Sequence, residues 1–536
     1  MKERGLPLDR YDYVIVGAGS SGCALAYKLS ANPDVTVALL EAGGPDEHPD
    51  IHHPPVYFSL WGTEVDWAYT TVPQKNTGYR IHPWPRGKVL GGTSSINGMV
   101  FLRGSRHDYD AWAYEGNVGW DYAGVLPCFR DMETSGLGSS EYHGTSGPLH
   151  VAVPSDLNPM SEVFIDACVE AGFQRNQDFN GETLEGAGWN ELSIYEGKRM
   201  SAARAFLGPA MSRPNLTVIT GAWAHRLTIE RPNRVVGVQY VSDGSPGEIS
   251  AEREVILSCG AVDSPRLLML SGIGPAAELE DLGIEVVADV PGVGKNLHDH
   301  LLIGVVYAST RPSPPNYAHI TESCLFAKSD PRLLSPDIEI SFNKEAHFAE
   351  GYDVPPDCFT LIPGIVRPQS RGWLRLSSAS PLDPPIINPR YLSVEADVVG
   401  LLRGIEMCRE IGMTNALKPW RRHEVVPGPT AIDEKALRRY IAGTVSTWFH
   451  PVGSCKMGIG EDAVVDPQLR VRDITGLRVA DASVMPKIVS ANTNGAAMMI
   501  GWKAGEIILG DARASAGGES AKAAAHTAVG AAESTR

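Results

Sequence analysis

Short apolar runs bounded by turn residues organise this chain. Tyr11-Asp-Tyr-Val-Ile-Val ends in glycines, a stretch of small residues follows, and Val37-Ala-Leu-Leu-Glu comes next. That order predicts strand, turn, helix and strand, a first βαβ unit over residues 11–45. Leu216-Thr-Val-Ile, Val235-Val-Gly-Val-Gln-Tyr-Val and Glu254-Val-Ile-Leu-Ser predict further strands over 215–260. The last of them leads into a second strand-to-helix turn at Cys259-Gly260-Ala261. Residues 300–380 alternate apolar and polar positions and carry many prolines, the pattern of an antiparallel sheet. Apolar positions recur at helical spacing in Val398–Ile411 and Glu434–Ile441, so 395–447 reads as helical, as does the stretch around Pro159–Gly172. Residues 474–511 return to strand and then helix. From 512 to 536 the chain is Ala, Gly, Ser and Glu with few large apolar residues, which predicts a disordered tail whose alanines could form a marginal helix.

Two domains are expected at 536 residues, because one simple core does not grow to that size. The composition, 43% hydrophobic and 21% charged, is that of a soluble globular protein. A net charge of −16 disfavours nucleic acid and anionic membrane as partners. No apolar run reaches the roughly 18 residues of a membrane span, and the first ten residues lack the apolar segment of a signal peptide. Eight scattered cysteines without a Cys-x-x-Cys pair suit a reduced, cytoplasmic protein.

The glycines of the first unit stand where a dinucleotide site needs them. Gly17 permits the tight turn, Gly19 lets backbone approach a pyrophosphate, and Gly22 lets the helix pack close on the sheet. Ser20 and Ser21 open the helix, whose positive end then faces the phosphates. Glu41 closes the second strand 19 residues after Gly22, at the distance where a carboxylate bonds a ribose diol. A second glycine segment, Gly87-Lys-Val-Leu-Gly-Gly-Thr-Ser-Ser-Ile-Asn97, is open to two readings. It is either a loop capping a helix at Ser94 or Ser95, or backbone passing close to a flat ligand.

The sequence resembles the glucose-methanol-choline (GMC) family of flavin oxidoreductases. Gly87–Asn97 matches its first signature, and Gly260-Ala-Val-Asp-Ser-Pro-Arg-Leu-Leu-Met-Leu-Ser-Gly-Ile-Gly274 its second. Gly292-Val-Gly-Lys-Asn-Leu-His-Asp-His300, His450-Pro-Val-Gly-Ser-Cys-Lys-Met-Gly458 and Asp481-Ala-Ser-Val-Met-Pro486 match its further motifs. The similarity runs from about Tyr11 to Gly510, and within the family it points to choline dehydrogenases, aryl-alcohol oxidases and hydroxymethylfurfural oxidases.

The resemblance implies an α/β fold. A Rossmann-like FAD-binding domain (1–155, 195–302 and 448–511) is interleaved with an α+β substrate domain on an antiparallel sheet (156–194 and 303–447). It implies FAD rather than a nicotinamide. Gly17, Gly19, Ser20 and Ser21 would meet the pyrophosphate, Glu41 the ribose, and Ala224 the adenine. Gly92, Thr93, Asn97, Gly98 and Met99 would meet the flavin ring, with Asp481, Ala482, Asn494 and Gly495 also touching the cofactor. Ile96 stands where some members carry a histidine tethered to FAD, so a non-covalent flavin follows.

Oxidising an alcohol needs a base for the hydroxyl proton and a polar group to steady the developing alkoxide. Alone, His450 is one of 15 histidines and Asn494 a turn residue. The resemblance gives His450 the base's role and Asn494 that of donor to the substrate oxygen. The implied reaction is oxidation of a primary alcohol, aromatic or furanic by weak preference, with oxygen or a quinone-type compound as acceptor. A choline-type dehydrogenase, a lyase and a light-driven decarboxylase are the alternatives. Trp61, Trp67, Phe348, Trp448 and Phe449 could wall an aromatic pocket or simply pack. The His298-Asp-His300 pair reads as a structural turn, not a metal site.

Overall fold

The computed structural model describes residues 10–314, 319, 321–349 and 351–533, with side chains as far as residue 514. Two sheets carry the architecture. In the first, the order is Leu216–Ile219, Val37–Leu40, Arg10–Val16, Ser245–Leu257, Arg234–Ser242 and Ala222–Glu230. The strands around Arg10–Val16 run parallel, and those from Arg234–Ser242 outward run antiparallel. Leu477–Val479 also pairs in parallel with Val255–Leu257, bringing in a strand from near the other end of the chain. Val14, Ile15, Val37 and Leu39 are fully buried, as expected where both faces of a parallel sheet are covered.

The helix Ser20–Leu29 crosses this sheet at close range. A Cβ at Gly22 would lie 1.9 Å from the Gly17 carbonyl oxygen, so the approach requires glycine. The closing helix, Asn494–Glu533, packs on Ser20–Leu29, with Ser21 Oγ donating to the Ala497 carbonyl at 2.7 Å. This helix runs on past residue 512, the helix that the alanines of the tail allow. Side chains beyond 514 and residues 534–536 lie outside the described residues.

The second sheet is antiparallel, in the order Arg421–Val426, Val305–Ser309, Cys358–Ile365, Ile338–Asn343, Ser323–Ala327 and Gly186–Trp189. Leu301–Leu302 joins Cys358–Ile365 on one side and Ser446–Thr447 on the other. That last pairing delivers residues 448–450 to the space between the two sheets. The helices Glu395–Gly412 and Glu434–Thr444 stand where helical periodicity places them, but Arg421–Val426 between them is an edge strand. Its Arg-Arg-His-Glu start carries no apolar alternation. The pairing with Val305–Ser309 and a two-bond contact from Arg409 to Glu424, at 2.9 and 2.7 Å, hold it. The strand Ala222–Glu230 likewise escaped the apolar pattern. No helix among the described residues is long and apolar enough to cross a membrane.

One buried ionic network lies away from the cavity described below. Arg103 donates to Glu133 at 2.7 Å, both side chains being 1% exposed. His143 spans Glu133 Oε1 at 2.9 Å and Asp178 Oδ2 at 3.0 Å. His143, Asp178 and Glu191 bring ligand atoms within 4.8 Å of one another, yet both imidazole nitrogens already face carboxylates. Burial opposes a charge on this ring, but the bonds to Asp178 and Glu133 outweigh it and raise the pKa to about 9. A pKa raised on folding stabilises fully below the unfolded value near 6.5, and the gain is lost as pH rises through about 9. The difference in melting temperature between the protein and His143→Gln is therefore expected to shrink from pH 6.5 to 9.5. A constant difference across that range would contradict this charge state.

Candidate active site

A single elongated cavity of about 290 Å³ runs between the sheets. At one end lie Gly17, Gly19, Ser20, Ser21, Glu41 and Ala224; at the other lie His450 and Asn492. Ser20–Leu29 has no side-chain cap and no acid in its first turn, so its first N–H groups are left for an anion. Glu41 accepts from Ala18 N and Gly43 N, both at 2.9 Å. Burial raises its pKa to about 7, against the pull of those two N–H groups.

Gly92 opens a one-turn 3-10 helix, Gly92–Ser95, with φ +53. A Cβ there would come 2.7 Å from Gly19 Cα, so the two glycine loops meet backbone to backbone. Gly92, Thr93, Asn97, Gly98 and Met99 all line the cavity. Arg199 clamps this loop, donating to Ile51 O at 2.7 Å, Asn97 O at 2.6 Å and Asn97 Oδ1 at 2.9 Å. Nothing near Arg199 in the sequence marks it for that task. The glycine-to-glycine contact, the uncapped helix end and the buried carboxylate fit an extended dinucleotide.

Asp481 and Ala482 also line the cavity, but the Asp481 carboxylate is taken up by protein donors. Gly260 N and Ser483 N donate to it at 2.9 and 2.8 Å. Gly22 and Gly495 are not in the lining: Gly22 serves the helix packing described above, and a Cβ at Gly495 would lie 2.8 Å from Leu102 O.

At the far end, His450 follows the strand Ser446–Thr447. Its N–H donates to Asp299 Oδ1 at 2.7 Å, and Tyr391 OH donates to Asp299 Oδ2 at 2.6 Å. Phe449 has φ 64, and its carbonyl accepts from Arg86 Nη2 at 2.5 Å. Asp299 anchors this turn. His298 meets backbone at both nitrogens, Asn296 O at 2.6 Å and Ile488 N at 2.9 Å. The imidazole of His450 stacks on Trp448, with ring centres 6.1 Å apart and planes at 12°. Burial, then His300 and Arg86, push its pKa well below the usual histidine value. It is therefore neutral at neutral pH.

The amide beside this imidazole belongs to Asn492, not to Asn494. Asn492 Nδ2 lies 3.3 Å from His450 Nε2, whereas Asn494 Oδ1 accepts from Ser20 Oγ at 2.7 Å. Asn494 is the first residue of the closing helix and faces the first glycine turn; Asn492 sits in the loop before it. That loop is pinned at Ser490, whose N and Oγ both donate to Asp108 at 2.7 Å. Asn-Thr-Asn offers two amides, and the spacing alone does not choose between them.

Aromatic rings wall the cavity at this end. Trp61 lies 4.7 Å from Phe449 and 4.6 Å from Phe58, and Phe58 lies 4.2 Å from Tyr57. Trp67 lines the cavity and also packs at 6.1 Å against Trp223, next to Ala224. Glu339 is a lining residue that the sequence did not single out. It pairs across the ladder with Gly364, and a Cβ on Gly364 would meet the Trp448 ring at 2.2 Å. Cross-strand partners share a face, so the carboxyl of Glu339 and the ring stacked on His450 are neighbours. Burial raises the pKa of Glu339 to about 8, with a bond from Ser341 Oγ at 3.1 Å working against it.

Comparison with known proteins follows the same outline. Two family models, each described as GMC oxidoreductase, match residues 11–302 and 368–501. The chain is similar to the mitochondrial choline dehydrogenase of Homo sapiens, at 40% identity over 94% of this chain and 90% of that one. It is equally similar to an alcohol dehydrogenase [acceptor] of Pseudomonas putida, at 40% identity over 93% and 96%. Among solved structures, pyridoxine 4-oxidase from Mesorbium loti superposes with a TM-score of 0.90, at 36% identity over 92% and 98%.

Proposed function

The chain belongs to the GMC oxidoreductase family and is an FAD-dependent oxidoreductase acting on CH–OH donors; from that premise we propose how its residues divide the work. The substrate is a primary alcohol, oxidised to the aldehyde. When bound, FAD supplies the hydride acceptor. His450 takes the hydroxyl proton at Nε2, and Asn492 Nδ2 donates to the oxygen as negative charge builds on it. The observation that carries this reading is a neutral imidazole and an amide donor, 3.3 Å apart, in the same cavity that the two glycine loops line.

The cofactor residues follow from the same reading. Gly17, Gly19, Ser20 and Ser21 hold the pyrophosphate, Glu41 the ribose and Ala224 the adenine end. Gly92, Thr93 and Asn97 to Met99 lie along the flavin, which Ile96 leaves untethered. The FAD domain comprises 1–155, 195–302 and 448–511, and the substrate domain 156–194 and 303–447. An anaerobic alcohol panel tests the reaction, and readmission of air or a quinone dye identifies the acceptor. Failure of every alcohol to bleach the flavin would turn the reading toward lyase or decarboxylase chemistry.

The rings of Tyr57, Phe58, Trp61 and Phe449 favour an aromatic or furanic alcohol. Pyridoxine, the substrate in the name of one structural neighbour, is itself an aromatic alcohol. Glu339 favours a second reading, an alcohol bearing a cation, as choline does. The pH dependence separates the two. With a neutral aromatic alcohol, ionisation of Glu339 puts an unpaired charge in the pocket, so kcat/KM falls above about pH 8 and Glu339→Gln removes that fall. With a cationic alcohol, ionisation helps binding, so kcat/KM rises through the same range. The second slope would replace the first reading by the second.

A further inference from the structure

Two nitrogens face each other beneath the proposed base: His300 Nδ1 and His450 Nδ1, 3.0 Å apart, with the rings nearly perpendicular at 86°. The other nitrogen of His300, Nε2, lies 3.1 Å from the carbonyl oxygen of Val366. A carbonyl only accepts, so Nε2 of His300 carries a hydrogen. His300 is 1% exposed, and burial holds its pKa down at about 3 against the backbone acceptors of Val366 and Val489, so the ring is neutral with one hydrogen; with that hydrogen on Nε2, Nδ1 is bare. A contact between two ring nitrogens needs one hydrogen between them, and that hydrogen sits on His450 Nδ1. His450 is also neutral, which leaves its Nε2 as a lone pair facing Asn492 and the cavity.

We propose that His300 is a positioning residue: through the Val366 carbonyl it fixes the tautomer of His450, so that Nε2 is the atom free to take the substrate proton. The opposite tautomer would set two lone pairs against each other at Val366. The ring also supports the charged state. When Nε2 takes the hydroxyl proton, His450 becomes an imidazolium whose Nδ1–H still donates to the His300 lone pair, now as a charge-assisted bond. Arg86 opposes that charge, His300 would do so only if it were itself protonated, and Asp299 is engaged with the His450 backbone N–H, Tyr391 and Thr447. The arrangement parallels the orienting partner of a catalytic histidine in a hydrolase triad, with a neutral imidazole in place of the carboxylate.

This inference rests on His450 being the base, and a matched pair of variants tests the two separately. An Asn amide oxygen can overlay His Nδ1 as an acceptor, whereas a Gln amide nitrogen can overlay His Nε2 as a donor. His300→Gln therefore keeps the bond to Val366 and removes the acceptor for His450. It is expected to slow flavin reduction at least tenfold at unchanged FAD content, and to move the acid limb of kcat/KM to lower pH. His300→Asn restores the acceptor and is expected to recover most of the rate and the wild-type acid limb. Equal losses in the two variants, or an unmoved acid limb, would overturn the role while leaving the base assignment intact. A normal rate in His450→Ala would instead remove the base itself. If neither His300 variant retains FAD, nitrogen NMR of ¹⁵N-histidine-labelled holoenzyme decides. The His450 signals, identified as those missing in His450→Gln, place the hydrogen on Nδ1 if the inference holds and on Nε2 if it does not.

Discussion

His450→Ala is expected to purify yellow and folded and to be reduced by alcohol about 10²–10⁴ times more slowly than the parent, the usual cost of losing a positioned base. Folding should survive because the turn is anchored by main chain. The His450 N–H donates to Asp299, and the Phe449 carbonyl accepts from Arg86, and neither bond involves the imidazole. FAD should stay because the cradle lies at the glycine loops. What disappears is the acceptor for the hydroxyl proton beside Asn492; the neutral imidazole of His319 also lines the cavity, but it stacks on Tyr57. The adjacent Asn492 donates but does not ionise, and Glu339 is held mostly protonated, with its pKa near 8. Anaerobic stopped-flow absorbance near the flavin band measures the step directly, and added imidazole should restore part of the rate. In the parent, the low pKa of His450 keeps the base free across neutral pH, so its acid limb lies below the ordinary histidine value of about 6.5. A variant reduced at the parental rate would remove His450 from the chemistry.

Gly92→Val is expected to abolish FAD binding outright. Two costs combine. The backbone at residue 92 is left-handed, φ +53, which a β-branched residue adopts at a cost of about 1–3 kcal/mol. The added Cβ would also lie 2.7 Å from Gly19 Cα, main chain against side chain, with no flexible group able to yield. The two loops must then separate, and they are the two that line the cofactor. Gly244→Val isolates the first cost: φ is +74 there, but the position faces open space in a hairpin turn. Gly244→Val should remain yellow with a lowered melting temperature, and Gly92→Val should be colourless. Acid precipitation quantifies the flavin in each, and in the parent it should leave the chromophore in the supernatant, since Ile96 offers no tether. A yellow Gly92→Val protein would show that the loops have slack the structure does not display.

The parts legible in the sequence are those whose signal is local. Val14-Ile15-Val16, three spaced glycines and Glu41 specify their own unit, and the structure builds it as read. The second glycine segment was ambiguous by spacing and became readable only as a long motif. What stayed hidden depends on distant partners. Arg421–Val426 is a strand because Val305–Ser309 offers it an edge, a fact absent from its own residues. Arg199 reaches a loop a hundred residues earlier, and His300 meets His450 across 150. The exchange of Asn494 for Asn492 has the same origin. Which amide turns to the imidazole is set by where the closing helix begins and by the hold of Asp108 on Ser490.

The closing helix is sewn to the opening one: Asn494 to Ser20, Ala497 to Ser21, and Glu506 to Lys28. During synthesis, therefore, the ribosome releases one wall of the nucleotide cradle first and its opposite wall more than four hundred residues later. At roughly 5–20 residues per second that interval is on the order of a minute. Throughout it the early sheet edge and an incomplete cleft are exposed to whatever else is in the surroundings. Completion of the cradle, and with it cofactor loading, is then a late event of biogenesis.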